Sequence, residues 1–169
     1  MTEDSAEPEL VVEASRELDA PPTVAWRSWT DAAILRRWWG PKGFTCPTAE
    51  MDVRVGATSL VSMSAPDQGF PEMFSTWEYT RVEEPHRLEF VFRFTDADGT
   101  PLGETGRPPG VPAEVAHTVT FDALPGGRTR MSVREDGYTS PEPLEMSRQG
   151  LEQSLDKLTP LFAGGAAVD

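Results

Sequence analysis

The sequence predicts an α+β fold in which one curved antiparallel sheet of about six or seven strands wraps around a long C-terminal helix. Most of the chain alternates between apolar and polar residues, which is the period of a strand with one buried face. A helical period appears only near the end, where Leu151, Leu155, Leu158 and Phe162 follow one helix face. Since a single sheet of this kind has one apolar face, the helix must cover it.

The N-terminal part predicts one strand followed by two short helices. Residues 9–18 carry Val11 and Val12 and stop at a turn that contains two prolines. The helices are expected over residues 23–30 and 32–39, because Pro22 suits a helix start and Asp31 can cap the second helix. Gly40 and Pro41 then end it.

The middle of the chain predicts the remaining strands, separated by Gly- and Pro-rich turns. Residues 96–114 hold four prolines and four glycines, which is typical of a long irregular loop. The last strand is expected to point Met131 and Val133 inward. In the C-terminal helix, Pro160 should end or kink the helix near its last turn. The other strands are expected over residues 49–55, 58–64, 73–82, 88–94 and 115–121.

Composition limits the class of protein and its partners. The 169 residues fit one domain, predicted over residues 9–162, with a disordered acidic tail over 1–8 and a flexible tail over 163–169. A net charge of −13 opposes binding to nucleic acid. The sequence has one cysteine and no apolar run long enough for a membrane span, and its acidic first residues predict that it does not start with a signal peptide. We therefore expect a cytoplasmic protein of a prokaryote, and a homodimer stays open.

Specific residues resemble a known superfamily across about residues 9–162. The chain resembles the START or Bet v 1-like (SRPBCC) superfamily, whose fold is called helix-grip, and the closer match is the branch named after the activator of heat-shock-protein-90 ATPase. The matching residues are Ala20-Pro21, Val24-Ala25-Trp26, Thr30-Asp31, Leu35, Trp38-Trp39-Gly40-Pro41, Gly43-Phe44, Asp52-Val53-Arg54-Val55-Gly56, Tyr79, Val82, Glu84-Pro85-His86-Arg87-Leu88 and Val119-Thr120-Phe121.

The resemblance implies a cavity between the sheet and the C-terminal helix. Where this branch often carries Gly-Trp on the helix, this chain has Gly150 followed by Leu151, which predicts a wider cavity. Gly150 and Ser154 lie one turn apart and can open space on the same side. From strand parity and the helix face, we expect ligand-binding roles for Met51, Val53, Trp77, Tyr79, Phe90, Phe92, His117, Val119, Met131, Leu151 and Leu155.

The other chemically notable residues predict structural roles. Trp38 and Trp39 should pack the short helices against the sheet, with one of them facing the mouth of the cavity. Cys46 has no histidine near it in sequence and is expected to be inert. No residues have the spacing of a metal site, a cofactor motif or a catalytic group, so we expect none of these.

Three functions remain open at this stage. The first is non-enzymatic binding of an apolar or aromatic small molecule, which a dry cavity above roughly 300 Å³ would favour. The second is a protein-interaction module such as a chaperone cofactor, which an exposed apolar patch beside Trp38 would favour. The third is a cyclase- or hydratase-like enzyme, which a carboxylate paired with His117 would favour. We expect a binding protein more than an enzyme.

Overall fold

The computed structural model describes residues 10–165. The predicted tail over residues 1–8 and most of the one over 163–169 lie outside the described residues. The elements are β1 (Val11–Leu18), α1 (Pro22–Ala25), α2 (Arg27–Thr30), α3 (Ala32–Leu35), β2 (Ala49–Glu50), β3 (Thr58–Ala65), β4 (Phe70–Glu83), β5 (Arg87–Thr95), β6 (Val115–Leu124), β7 (Arg128–Asp136) and α4 (Pro141–Leu158), with 3-10 turns over Pro66–Gln68 and Thr159–Gly165.

The seven strands form one antiparallel sheet in the order β1-β7-β6-β5-β4-β3-β2. Sequential strands β3 to β7 are neighbours, and β1 closes onto β7 at the far edge. The inner face buries Phe90 on β5, Val119 on β6 and Met131 on β7. The predicted α+β class, with a curved antiparallel sheet and a long C-terminal helix, is confirmed.

Helix α4 crosses the inner face and buries the stripe that its period predicts. Leu151, Leu155 and Leu158 are buried on it, and Phe162 continues the stripe in the 3-10 turn that contains Pro160. On the β1 side, the Arg16 guanidinium donates to Glu152 Oε1 over 2.7 Å and to Asp156 Oδ1 over 3.0 Å. This ion pair ties the first strand to the last helix.

The short helices follow the first strand, as expected, although the first of them is divided. One predicted helix becomes α1 and α2, which meet at Trp26. Asp31 caps α3, since its Oδ1 accepts hydrogen bonds from the backbone N–H groups of Ala33 and Ile34. These helices carry Trp26 and Trp29 into the core.

The strand predicted over residues 49–55 is wrong beyond its first two residues. After Glu50, the Asp52 backbone N–H donates to the Ser59 side-chain hydroxyl instead of to a backbone carbonyl of a neighbouring strand. The chain then turns at Gly56, whose φ is +86°. Val55 at this turn is 66% exposed. Alternation alone predicted a strand here, but local side-chain hydrogen bonds favour a turn instead.

One end of the core is filled by aromatic rings that we call the tryptophan cluster: Trp29, Trp38, Trp39, Trp77 and Phe90. Trp29 lies edge-on to Trp38 at 4.9 Å between ring centroids, and Trp77 stacks on Phe90 at 4.5 Å. The Trp38 indole N–H donates to the Ser28 carbonyl over 2.9 Å. Trp38 is fully buried, whereas Trp39 is only partly buried. The predicted packing role therefore fits Trp38 better than Trp39.

Candidate functional site

A cavity of about 370 Å³ lies between the inner face of the sheet and α4, which lines it from Glu142 to Ser154. Its floor is formed by strands β3 to β7, and its roof by α4 and the loop after β5. Pro109, Glu142 and Met146 line it and are also exposed, so they mark where the cavity meets solvent.

The cavity is open because α4 places small side chains opposite the sheet. Ser147, Gly150 and Ser154 follow one another at helical spacing and all line it. A Cβ atom added to Gly150 would lie 3.4 Å from Pro41 Cγ, so the helix approaches the opposite wall closely at this point. The sequence predicted that Gly150 and Ser154 open this space, and the structure places both in the lining.

The long loop over residues 96–114 covers one side of the cavity. Pro108, Pro109 and Val111 contribute apolar lining. Gly110 has a φ of +78°, and a Cβ atom there would lie 3.0 Å from Pro143 Cγ at the start of α4. This contact holds the loop close to the helix, and the left-handed conformation favours glycine.

The remaining walls are aromatic and sulfur-bearing side chains. Trp39, Phe92 and Phe94 supply rings, and Met63 and Met73 supply thioethers. The Phe92 and Phe94 rings lie edge to face, with 5.0 Å between their centroids. Flexible methionines beside rigid rings give a wall that adapts to ligand shape.

Four polar side chains form what we call the polar end of the cavity: His117, Glu135, Tyr138 and Ser147. His117 and Glu135 are direct partners on β6 and β7, so both point to the inner face. Their side chains are 5% and 8% exposed, and His117 Nε2 lies 3.3 Å from Glu135 Oε2. The Tyr138 hydroxyl reaches Glu135 Oε1 over 3.3 Å and also contacts the Ser147 hydroxyl.

Contacts around this group orient the His117 ring and keep the Tyr138 hydroxyl protonated. His117 Nδ1 lies 3.1 Å from the Val115 carbonyl oxygen, and its ring stacks on Phe90 and Phe92 at 4.8 and 5.3 Å. Burial, together with the neighbouring Glu135 carboxyl, raises the pKa of Tyr138 well above its ordinary value. Tyr138 therefore keeps its proton at neutral pH and can donate a hydrogen bond.

The structure brings three of the predicted ligand-binding residues to this cavity: Phe92, His117 and Leu151. The other eight lie outside its lining. Met51 and Val53 lie in the segment that leaves the sheet and are only partly buried. The remaining six point to the inner face, as parity predicted, but they are packed into the filled core: Trp77, Tyr79, Phe90, Val119, Met131 and Leu155.

Sequence reasoning missed most of the polar end. Glu135 shares strand parity with Met131 and Val133. A carboxylate on this otherwise apolar face was the feature of the sequence that could have indicated a polar group in the cavity. In the long loop, Pro108, Pro109 and Val111 stand out as apolar residues among polar ones. Tyr138 and Ser147 gave no comparable signal, because only the tertiary fold brings them together.

Within residues 10–165, no three histidine, cysteine or acidic side chains come together in a way that could hold a metal ion. In the same range, no helix has the length and apolar character that crossing a bilayer requires.

Comparison with solved structures finds the same fold in bacterial proteins. A Chromobacterium violaceum protein is 28% identical, with a TM-score of 0.74 over 90% of this chain and 96% of that one. A Mycobacterium smegmatis protein is 26% identical, with a TM-score of 0.74 over 92% and 91%. An Arthrobacter aurescens protein is 28% identical, with a TM-score of 0.74 over 95% and 90%. No curated protein matches the chain.

The family comparison covers most of the chain. Residues 19–163 match the family described as "Activator of Hsp90 ATPase homolog 1-like protein". This match and the seven-stranded sheet around α4 agree with the Bet v 1-like resemblance of the sequence. The chain therefore belongs to the activator of Hsp90 ATPase homolog 1-like family.

Proposed function

We propose that this protein binds a small apolar or aromatic molecule in the cavity beneath α4. The observation that carries the proposal is the cavity itself, whose volume of about 370 Å³ is walled by Trp39, Phe92 and Phe94. Pockets for small molecules usually have volumes of about 300–1,000 Å³ and combine apolar walls with a few placed polar groups. The polar end supplies such groups on one side only.

The test is binding of the neutral fluorescent probe N-phenyl-1-naphthylamine. We expect its emission to rise on mixing and the melting temperature of the protein to increase with probe concentration, because a ligand that binds only the folded state stabilises it. Gly150→Leu should fill the cavity from α4 and reduce probe affinity at least tenfold. Gln149→Leu is the matched control, because Gln149 is exposed and lies outside the lining.

Two outcomes would contradict the proposal. One is that the wild-type protein gives neither the rise in emission nor the thermal shift. The other is that Gly150→Leu folds with the wild-type circular dichroism spectrum and binds the probe as tightly as Gln149→Leu does.

A second candidate function is proton transfer on a bound molecule. The buried pair of His117 and Glu135 favours it, since a carboxylate at 3.3 Å from an imidazole is a common arrangement for acid–base catalysis. In this reading Glu135 removes a proton from carbon and returns one from solvent. Exchange of the α-hydrogens of 2-tetralone in D₂O, followed by NMR, tests it. Exchange above the buffer rate that Glu135→Gln abolishes would support this function, and exchange at the buffer rate would contradict it.

The chaperone-cofactor alternative stays a prediction that rests on family resemblance. Trp38, beside which an exposed apolar patch would have favoured it, is fully buried. Among the described residues, the large apolar side chains that are exposed are Val55, Phe70 and Met146, and Met146 belongs to the mouth of the cavity.

A further inference from the structure

We infer that the polar end of the cavity selects an aromatic ligand that carries a hydrogen-bond donor, a hydroxyl or an ammonium group, and rejects one that carries a carboxylate. The inference rests on the proposed binding function and adds the chemical class of the ligand. It follows from the hydrogen bonds that His117, Glu135, Tyr138 and Ser147 already make within the protein and from the acceptor atoms that these bonds leave free.

Both ring nitrogens of His117 are engaged within the protein. Nδ1 lies 3.1 Å from the carbonyl oxygen of Val115, and a carbonyl only accepts, so Nδ1 bears hydrogen. Nε2 lies 3.3 Å from Glu135 Oε2, and one proton lies between these two atoms in either charge state of the pair. His117 therefore orients Glu135 and has no nitrogen left for a ligand.

The Tyr138 hydroxyl is also committed as a donor. Tyr138 has one O–H hydrogen, and it has two acceptors within the protein, Glu135 Oε1 at 3.3 Å and the Ser147 hydroxyl oxygen. The Tyr138 hydrogen is therefore already used by these neighbours and is not offered to a ligand. Deeper on α4, the Ser154 hydroxyl donates to the Gly150 carbonyl over 2.9 Å.

What the polar end still offers to the cavity is acceptor capacity. A carboxylate has about four lone-pair sites, and the contacts with His117 and Tyr138 use two of those on Glu135. The Ser147 oxygen keeps free lone pairs as well. A ligand hydroxyl or ammonium group can donate to these oxygens, whereas a ligand that only accepts leaves them without a partner, which costs affinity.

The charges of the lining also disfavour a ligand that carries a carboxylate. The lining holds the Glu135 and Glu142 carboxyls, with no lysine or arginine among the lining residues. An anionic ligand would lose its hydration shell on entering without gaining an Arg or Lys partner. The lining therefore disfavours carboxylates such as fatty acids, although it suits their apolar chains.

The experiment compares naphthalenes that differ in one substituent, by calorimetry. We expect 2-naphthol to bind about tenfold more tightly than 2-methoxynaphthalene, which has the same rings and no donor. We expect 2-naphthylmethylammonium to bind more tightly than the ether as well, and 2-naphthoate more weakly. Equal binding of 2-naphthol and 2-methoxynaphthalene, or tightest binding of 2-naphthoate, would overturn the inference.

Variants assign the preference to the polar end. Glu135→Gln should reduce the ratio between 2-naphthol and 2-methoxynaphthalene to less than threefold, with little change in ether binding. If Glu135→Gln does not fold, Ser147→Ala should reduce the same ratio. Glu145→Gln removes an exposed carboxylate of α4 that lies outside the lining and should leave the ratio unchanged. A ratio that stays near tenfold in both Glu135→Gln and Ser147→Ala would contradict the assignment.

Failure of this inference and failure of the proposed function give different results. If no naphthalene binds and N-phenyl-1-naphthylamine does not bind either, the cavity is not a binding site. If the naphthalenes bind with no preference for a donor, the binding function stands and the inferred ligand class is wrong.

Discussion

The two ends of the inner face of the sheet differ in how they are filled. At one end, Trp38 packs on Trp29, Trp29 packs on Trp77, and Trp77 stacks on Phe90, so aromatic rings cover the sheet there. At the other end, the same sheet faces Ser147, Gly150 and Ser154 of α4, and about 370 Å³ stays open. Trp39 lies at the boundary, since its ring centroid is 4.9 Å from that of Trp77 and its side chain also lines the cavity.

This difference teaches that the element opposite the sheet determines whether a site forms. Phe90 and Phe92 are two residues apart on β5 and have the same parity, yet Phe90 is buried in the tryptophan cluster and Phe92 lines the cavity. Their chemistry is identical, and their roles differ because different elements cover them.

Trp38→Ala should destabilise the protein by about 3–5 kcal/mol, because it removes a fully buried ring and leaves a cavity. Urea denaturation measures this loss of free energy of unfolding. Trp39→Ala is the matched comparison at the boundary and should cost less than half as much, since Trp39 is already partly exposed. Equal losses for the two variants would show that the open end is packed as tightly as the filled end.

His117→Leu should destabilise the protein by about 1–3 kcal/mol, because Glu135 stays buried and loses a hydrogen-bond partner. Replacing both residues, as His117→Leu with Glu135→Leu, should recover part of that loss because neither partner is left unpaired. A double-mutant cycle based on urea denaturation measures the coupling. Purely additive losses would show that the two side chains do not interact.

Cys46 is buried in the core, and burial raises the pKa of its thiol to about 11. The unfolded chain releases this proton near pH 9, whereas the folded protein keeps it. The stabilising contribution is therefore complete below pH 9 and is lost as pH rises towards 11. Between pH 8 and pH 10 we expect a loss of about 1 kcal/mol from this group.

The control for that prediction is Cys46→Ala, which has no thiol to ionise. Its free energy of unfolding should fall less than that of the wild type over the same pH interval, and the difference isolates the thiol from other groups that titrate at alkaline pH. Parallel pH profiles for the two proteins would contradict the prediction.

Several features of the fold could be predicted because they depend on local patterns. The helical period of Leu151, Leu155 and Leu158 correctly placed α4, and the alternation along β5 and β6 correctly placed their inner faces. Asp31 was identified as a cap from its position before an apolar run, and its carboxylate does cap α3. By contrast, the same alternation over residues 49–55 predicted a strand that local hydrogen bonds prevent.

The candidate site could be predicted only in part. Parity indicates which residues face inward, but it does not indicate what covers them, so Tyr79, Val119 and Met131 were expected to meet a ligand and are instead packed in the core. Gly150 and Ser154 were predicted to open space because they are small residues one turn apart on the helix face, and both line the cavity.

By itself, the sequence determined the fold class, the inner faces of the strands and the helix stripe with its small residues, since each depends on side-chain period and on chemistry within a few positions. Only the tertiary structure decided that His117, Glu135, Tyr138 and Ser147 meet at one end of a cavity. Strand pairing joins the first two, and the return of α4 over the sheet brings Ser147 onto Tyr138. Contacts between residues this far apart in sequence depend on register and helix placement, which no local pattern encodes.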